Sequence, residues 1–192
     1  MTQLQPFAES DPTVMDIAFF VDPIMLAREG AFLRHLVMGL KSEGQKITFV
    51  APLGFDLSSL PTLGSRLLTY RWNRWEKLPV FQKLRLNPLA RQLQESPPDL
   101  LVAWGSAEPG GWGGWSGGGA LAVLAQMVPN LPVVAWCWDA SELFTPLLSI
   151  PSLRHVIASS QPIADRVPTP WKVPVTVVRP GVYCGENVAC FD

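Results

Sequence analysis

Seven short runs rich in Val, Ile, Leu, Ala and Phe punctuate this chain, and within most of them the apolar residues are nearly continuous rather than alternating with polar ones. A strand that is apolar on both sides has to be covered on both sides. The arrangement that does this is a parallel sheet with helices packed on either face. The runs fall at 16–21, 47–51, 67–71, 100–104, 133–138, 156–159 and 175–179.

Between the first two, Leu33, Leu36, Val37 and Leu40 recur at helical spacing while Arg34, Lys41 and Glu43 can face water, and Gly44 ends the helix. A second helix is expected within 81–94, starting or kinking at Pro88, because a proline inside a helix removes one backbone hydrogen bond and clashes with the preceding turn. A third covers 120–127, and a shorter one covers 141–149, broken near Pro146. Strand and helix alternating in this way build βαβ units with right-handed crossovers. The expected fold is α/β: a doubly wound, mostly parallel Rossmann-like sheet with helices on both faces. In such sheets ligands bind beyond the carboxyl ends of the strands, so functional residues are sought there.

Composition narrows the function classes. With 192 residues, 48% hydrophobic and 16% charged, the chain has material for one domain with a large core and is too apolar to be disordered. A net charge of -1 without a Lys/Arg run argues against nucleic acid as partner. Apolar stretches such as 131–138 fall far short of the roughly 20 residues that span a bilayer. The first 13 residues lack a basic start and an apolar stretch, so the expected location is cytoplasmic. Cys137, Cys184 and Cys190 form no C-x-x-C pair, which points to neither a disulfide framework nor a zinc site. Cys137, inside an apolar run, reads as a small buried hydrophobe.

Several segments in chain order carry more specific information. DIAFFVDPIMLAREGAFLRHLVMGLKSEGQKITFVAP is a strand, a loop with Glu29-Gly30, a helix and a second strand. PDLLVAWG, LPVVAWCWD and HVIASSQPIADRV follow as strand units with polar or aromatic ends, and VPVTVVRPGVY closes the series. Their order and spacing resemble the N-terminal domain of family 4 glycosyltransferases, in which two Rossmann-like domains of the GT-B fold face each other across a cleft. Two positions depart from that pattern: Trp104, and the Trp136-Cys137-Trp138-Asp139 stretch, stand where the family often has His.

The resemblance implies a flexible tail over 1–14, an acceptor-side domain over 15–183, and over 184–192 the start of an exit toward a second domain. It implies a sugar or glycan acceptor and a nucleotide sugar as donor substrate, with no metal or other cofactor. The donor is met through a C-terminal domain with a paired-glutamate motif, without which no hexosyl transfer is expected. Two other readings stand beside it: a non-catalytic sugar- or nucleotide-binding module, and an interaction domain whose exposed tryptophans and truncated edge serve a partner protein or self-association, with peripheral membrane contact a further candidate partner.

Candidate site residues lie at the expected strand ends. Glu29 and Gly30 either let backbone approach a ligand phosphate at a helix start or merely shape that start. In the glycine-rich stretch 105–119, Trp112 and Trp115 are candidates to stack on a sugar beneath a closing loop, and the bland alternative is a flexible insertion. Trp104 and Trp138 are further candidates for the acceptor pocket. Asp139 and Glu142 can serve as general base toward an acceptor hydroxyl or as the cap and first-turn acid of a short helix. Ser159 offers a hydroxyl to a ligand, with Ser159 or Ser160 alternatively capping the helix near Pro162. Arg179 and Gly181 sit on the side expected to meet the donor's pyrophosphate. His35 reads as a helix surface residue and His155 as a strand boundary. With neither beside a nucleophile motif, a Ser-His-Asp or Cys-His hydrolase has no support.

Overall fold

The structure, a computed structural model, describes residues 14–21, 23–58, 60–71, 79–104, 120–138, 150–167 and 173–179. Seven strands form one sheet: β1 (Asp16–Val21), β2 (Lys46–Pro52), β3 (Arg66–Tyr70), β4 (Leu100–Trp104), β5 (Val133–Cys137), β6 (Leu153–Ala158) and β7 (Val175–Val177). Every neighbouring pair is parallel and the order is β3-β2-β1-β4-β5-β6-β7. This is the 3-2-1-4-5-6 order of Rossmann-like sheets with one strand added at the edge. The described helices are α1 (Pro23–Ser42), α2 (Pro79–Glu95), α3 (Ala120–Met127) and the single turn α4 (Gln161–Ala164). The expected α/β class and all seven strands are present. The helix expected at 141–149 lies outside the described residues.

Two cores sandwich the sheet. On one face Leu86, Leu89 and Leu93 of α2 and Leu121 and Leu124 of α3 pack on Phe20, Val50, Leu101 and Val133. On the other, Leu26, Leu33 and Val37 of α1 pack on Ile17, Phe19, Phe49 and Val102. The continuous apolar runs arise from this. In β1 alone, Ala18 and Phe20 belong to one core and Ile17, Phe19 and Val21 to the other.

Local details sharpen several expectations. Gly44 ends α1 as expected, with φ of +80°; its N–H donates to Lys41 O (3.0 Å) and the Gln45 N–H donates to Leu40 O (3.0 Å). This pair of bonds closes a helix through a left-handed residue, a conformation that glycine adopts without a Cβ penalty. Lys41, in the last turn, donates to the carbonyls of Pro61 (2.7 Å) and Leu63 (2.6 Å), tying α1 to the β2–β3 connection.

Two features differ from the sequence reading. The second helix neither starts nor breaks at Pro88, which lies inside α2 on its exposed side, where water can take the carbonyl that the missing N–H leaves unpaired. β6 begins at Leu153, three residues early, because Leu153 and His155 pair with Val133 and Val134 across a register shift in β5. His155 is therefore inside a strand rather than at its boundary, with Nε2 2.8 Å from Thr176 Oγ1 on β7.

Gly44→Ala places a Cβ on a left-handed residue and is expected to lower unfolding free energy by about 1 kcal/mol. Lys41→Met removes two charge-assisted bonds and is expected to cost about 1–2 kcal/mol. Urea denaturation followed by far-UV circular dichroism measures both.

Candidate functional site

The direction of winding reverses between β1 and β4, the two strands from which the chain builds outward to opposite edges. The connections on either side then diverge and leave a crevice beyond the carboxyl ends of these two strands. Val21 and Trp104 are register partners at that edge. The site is built from there.

Four aromatic rings gather on the α1 face at this edge. Trp104 ends β4, and Trp136, its register partner, lies in β5. Trp138, two residues after Trp136, shares its side of the sheet by strand parity. From α1, Phe32 stacks on Trp104 with centroids 5.7 Å apart and planes at 15°. It meets Trp136 and Trp138 edge-on, at 5.4 and 5.2 Å. The three indoles touch one another: Trp104 is 5.0 Å from Trp136 and 5.1 Å from Trp138, and Trp136 and Trp138 stack at 5.9 Å. These offset and edge-to-face geometries are those that ring quadrupoles favour.

The cluster has an unpaid polar cost. The Nε1 atoms of Trp104, Trp136 and Trp138 are all buried, and among the described residues none meets a hydrogen-bond acceptor. A buried donor without an acceptor costs about 1–3 kcal/mol, so three in one cluster are a concentrated desolvation cost at the edge where a ligand is expected.

The other expected residues divide between placed and undescribed positions. Trp104 is fully buried, so its ring lines the inside of the wall rather than offering an open platform. Trp138 is half-buried. Ser159 follows β6 and donates from Oγ to Trp138 O (3.2 Å), while its N–H donates to Cys137 O (3.0 Å), which binds the ends of β5 and β6 together. Ser160 caps α4 by position, but its side chain makes no cap bond.

Glu29 and Gly30 are not in a loop after β1. The helix starts at Pro23, and Glu29 lies at a kink inside it, with φ of -120° and ψ of 16°. Because Glu29 leaves the helical conformation, α1 is two helical segments joined at a kink and Gly30 opens the second of them, with Glu29 half-buried and Gly30 buried. Arg179 follows β7 and is exposed. Asp139, Glu142, Trp112, Trp115 and Gly181 lie outside the described residues. Among the described residues, no group of three His, Cys, Asp or Glu side chains is placed to hold a metal ion.

Sequence reasoning did not single out Phe32 or Trp136 as site residues. The signal for both was available: Phe32 belongs to the helical period of Leu33, Leu36 and Leu40, and Trp136 has the same strand parity as Trp138.

No known family profile matches this chain, and neither does any curated protein. Among solved structures it is similar to LpCGTa, crystallised in complex with UDP, at a TM-score of 0.37 and 15% identity. The likeness covers 65% of this chain and 30% of that one, so the chain spans under a third of the relative's length. At this level it adds nothing to the fold established by strand order and register.

Trp104 carries the largest fully buried side chain of the site, and Trp104→Ala is expected to cost about 3–5 kcal/mol in urea denaturation.

Proposed function

We propose that this chain is the acceptor-side, N-terminal half of a nucleotide-sugar-dependent glycosyltransferase of the GT-B type, and that the Phe32-Trp104-Trp136-Trp138 cluster backs its acceptor pocket. The family 4 resemblance of the strand-end segments supports the class of chemistry. The single observation that carries the location is the set of three buried, unpaired indole donors at the carboxyl edge. A sugar is rich in hydroxyl acceptors and has apolar C–H faces, so it answers both the unpaired donors and the aromatic surface around them.

In this reading Asp139, directly after Trp138, takes the acceptor hydroxyl's proton, with Glu142 nearby in sequence. Arg179 meets donor phosphate from the far end of the edge. Transfer itself requires a donor-binding domain opposite this one. A second reading, a sugar-binding module without catalysis, is favoured by one feature: bulky Trp104 and Trp138 occupy positions where the resembling family often has His.

The cluster provides its own reporter. In the chain labelled with 15N-tryptophan, the indole N–H resonances of Trp104, Trp136 and Trp138 are expected upfield, as unbonded donors are, and to move downfield with a saturating simple glycan. Silence of all three across panels of glycans and nucleotide sugars would remove both readings.

Catalysis is separated from binding in the chain joined to a donor-binding domain. There Asp139→Asn is expected to lower kcat by about 10²–10⁴-fold with little change in acceptor KM. Unchanged turnover leaves Asp139 a capping residue.

A further inference from the structure

Of the three indoles in the aromatic cluster, only that of Trp138 has surface to offer a ligand. Trp104 and Trp136 are 0 and 5% exposed, whereas Trp138 is half-buried. Trp138 is also the one the sheet holds least, because β5 ends at Cys137. The Cys137 carbonyl accepts from the Ser159 N–H (3.0 Å) and so points toward β6. Successive carbonyls of an extended strand point to opposite neighbours, so Trp138 O would turn toward β4 if the strand ran on. It lies instead 3.2 Å from Ser159 Oγ, beside the end of β6. The chain therefore leaves the sheet at Trp138, and among the described residues the Ser159 hydroxyl supplies the hydrogen bond to its backbone.

The strand before it places that hydroxyl. Ile157 packs against the α1-face core, and Ser159, two residues on, falls on the same side by strand parity, the side that carries the cluster. A serine hydroxyl has one proton, and here it goes to the Trp138 carbonyl, so it is not free to be donated to a ligand. The clasp between the ends of β5 and β6 is already made by the Ser159 N–H, and the side chain serves a residue beyond the ladder. An indole plane is set relative to its own Cα–Cβ bond by two torsions, so a peptide that turns carries the ring with it.

We propose that Ser159 is a positioning residue for the acceptor pocket. By holding the Trp138 peptide it keeps the indole stacked on Trp136, at 5.9 Å and 14°, and edge-on to Phe32 and Trp104, at 5.2 and 5.1 Å. Ser159 acts on the acceptor only through Trp138. The proposal rests on the reading of the cluster as the back of that pocket. A stacking surface is useful to a sugar only where its plane is fixed before the ligand arrives, since a ring that must first be ordered spends part of the binding free energy on itself.

The test uses the full chain labelled with 15N-tryptophan, with the Trp138 indole N–H assigned by its absence from Trp138→Phe. Without ligand, Ser159→Ala is expected to move the Trp138 resonance more than that of any other tryptophan, and Ser159→Thr, which keeps the hydroxyl, to return it. Titration with glucose, galactose, N-acetylglucosamine and maltose then reads affinity. Ser159→Ala is expected to bind about two- to tenfold more weakly than wild type, the loss of one hydrogen bond, and Ser159→Thr within about twofold of it. Unchanged far-UV circular dichroism confirms that the fold is retained. The proposal is overturned if Ser159→Ala leaves the Trp138 resonance where it was, if it moves all the tryptophans alike, or if Ser159→Thr behaves as Ser159→Ala. If wild type responds to a sugar and Ser159→Ala binds it equally well, the positioning role alone falls. If no sugar moves a cluster resonance in wild type, the pocket reading falls and takes this role with it.

Discussion

A parallel sheet has no face it can leave to water, and that requirement organises this molecule. Each central strand contributes to both cores, so helices must arrive on both sides, and the right-handed crossover decides which helix goes where. From β1 the chain steps outward to β2 and β3, which sets α1 on one face. From β3 it crosses back to β4 and continues through β5, β6 and β7, and the reversed direction sets α2, α3 and α4 on the other. The reversal at β1 and β4 is a consequence of covering both faces. The candidate site therefore lies where it does for the same reason that the sheet is stable.

This explains which parts of the molecule the amino-acid sequence made legible. Strand placement depends on apolar runs that have no other explanation, and the strands expected at 16–21 and 100–104 match β1 and β4 residue for residue. Boundaries were less legible where the deciding contact is distant. β6 starts early because of pairing with β5, and α2 passes through Pro88 because the lost bond faces solvent, neither of which local propensity records. The site was the least legible. Trp104 and Trp138 were visible as strand-end residues, but their meeting with Phe32 depends on α1 beginning at Pro23 and on the kink at Glu29.

The aromatic cluster also answers a deficit in the architecture. The connection from β2 to β3 carries no helix among its described residues, so among the described helices α1 alone covers its face. Farther along the same face an open apolar groove of about 320 Å³ remains, lined among others by Val134, Trp136, His155, Ile157, Thr176 and Val178. Among the described residues one helix stands where two would pack, and side-chain volume supplies part of what backbone does not. Three indoles and a phenyl ring are the densest way to supply it from a few positions.

That solution is tied to register. Trp104 and Trp136 are paired partners, and a slip of one residue would turn each to the opposite face, into the core already filled by α2 and α3. The cluster therefore cannot relax by moving its strands, and its indole nitrogens are carried into the interior along with its carbons. Phe32 blocks the α1 side and the sheet blocks the other, and neither offers an acceptor. Among the described residues no oxygen satisfies these donors. The packing that completes the fold thus carries its unmet polar groups beside the edge where a Rossmann-like sheet receives its ligand.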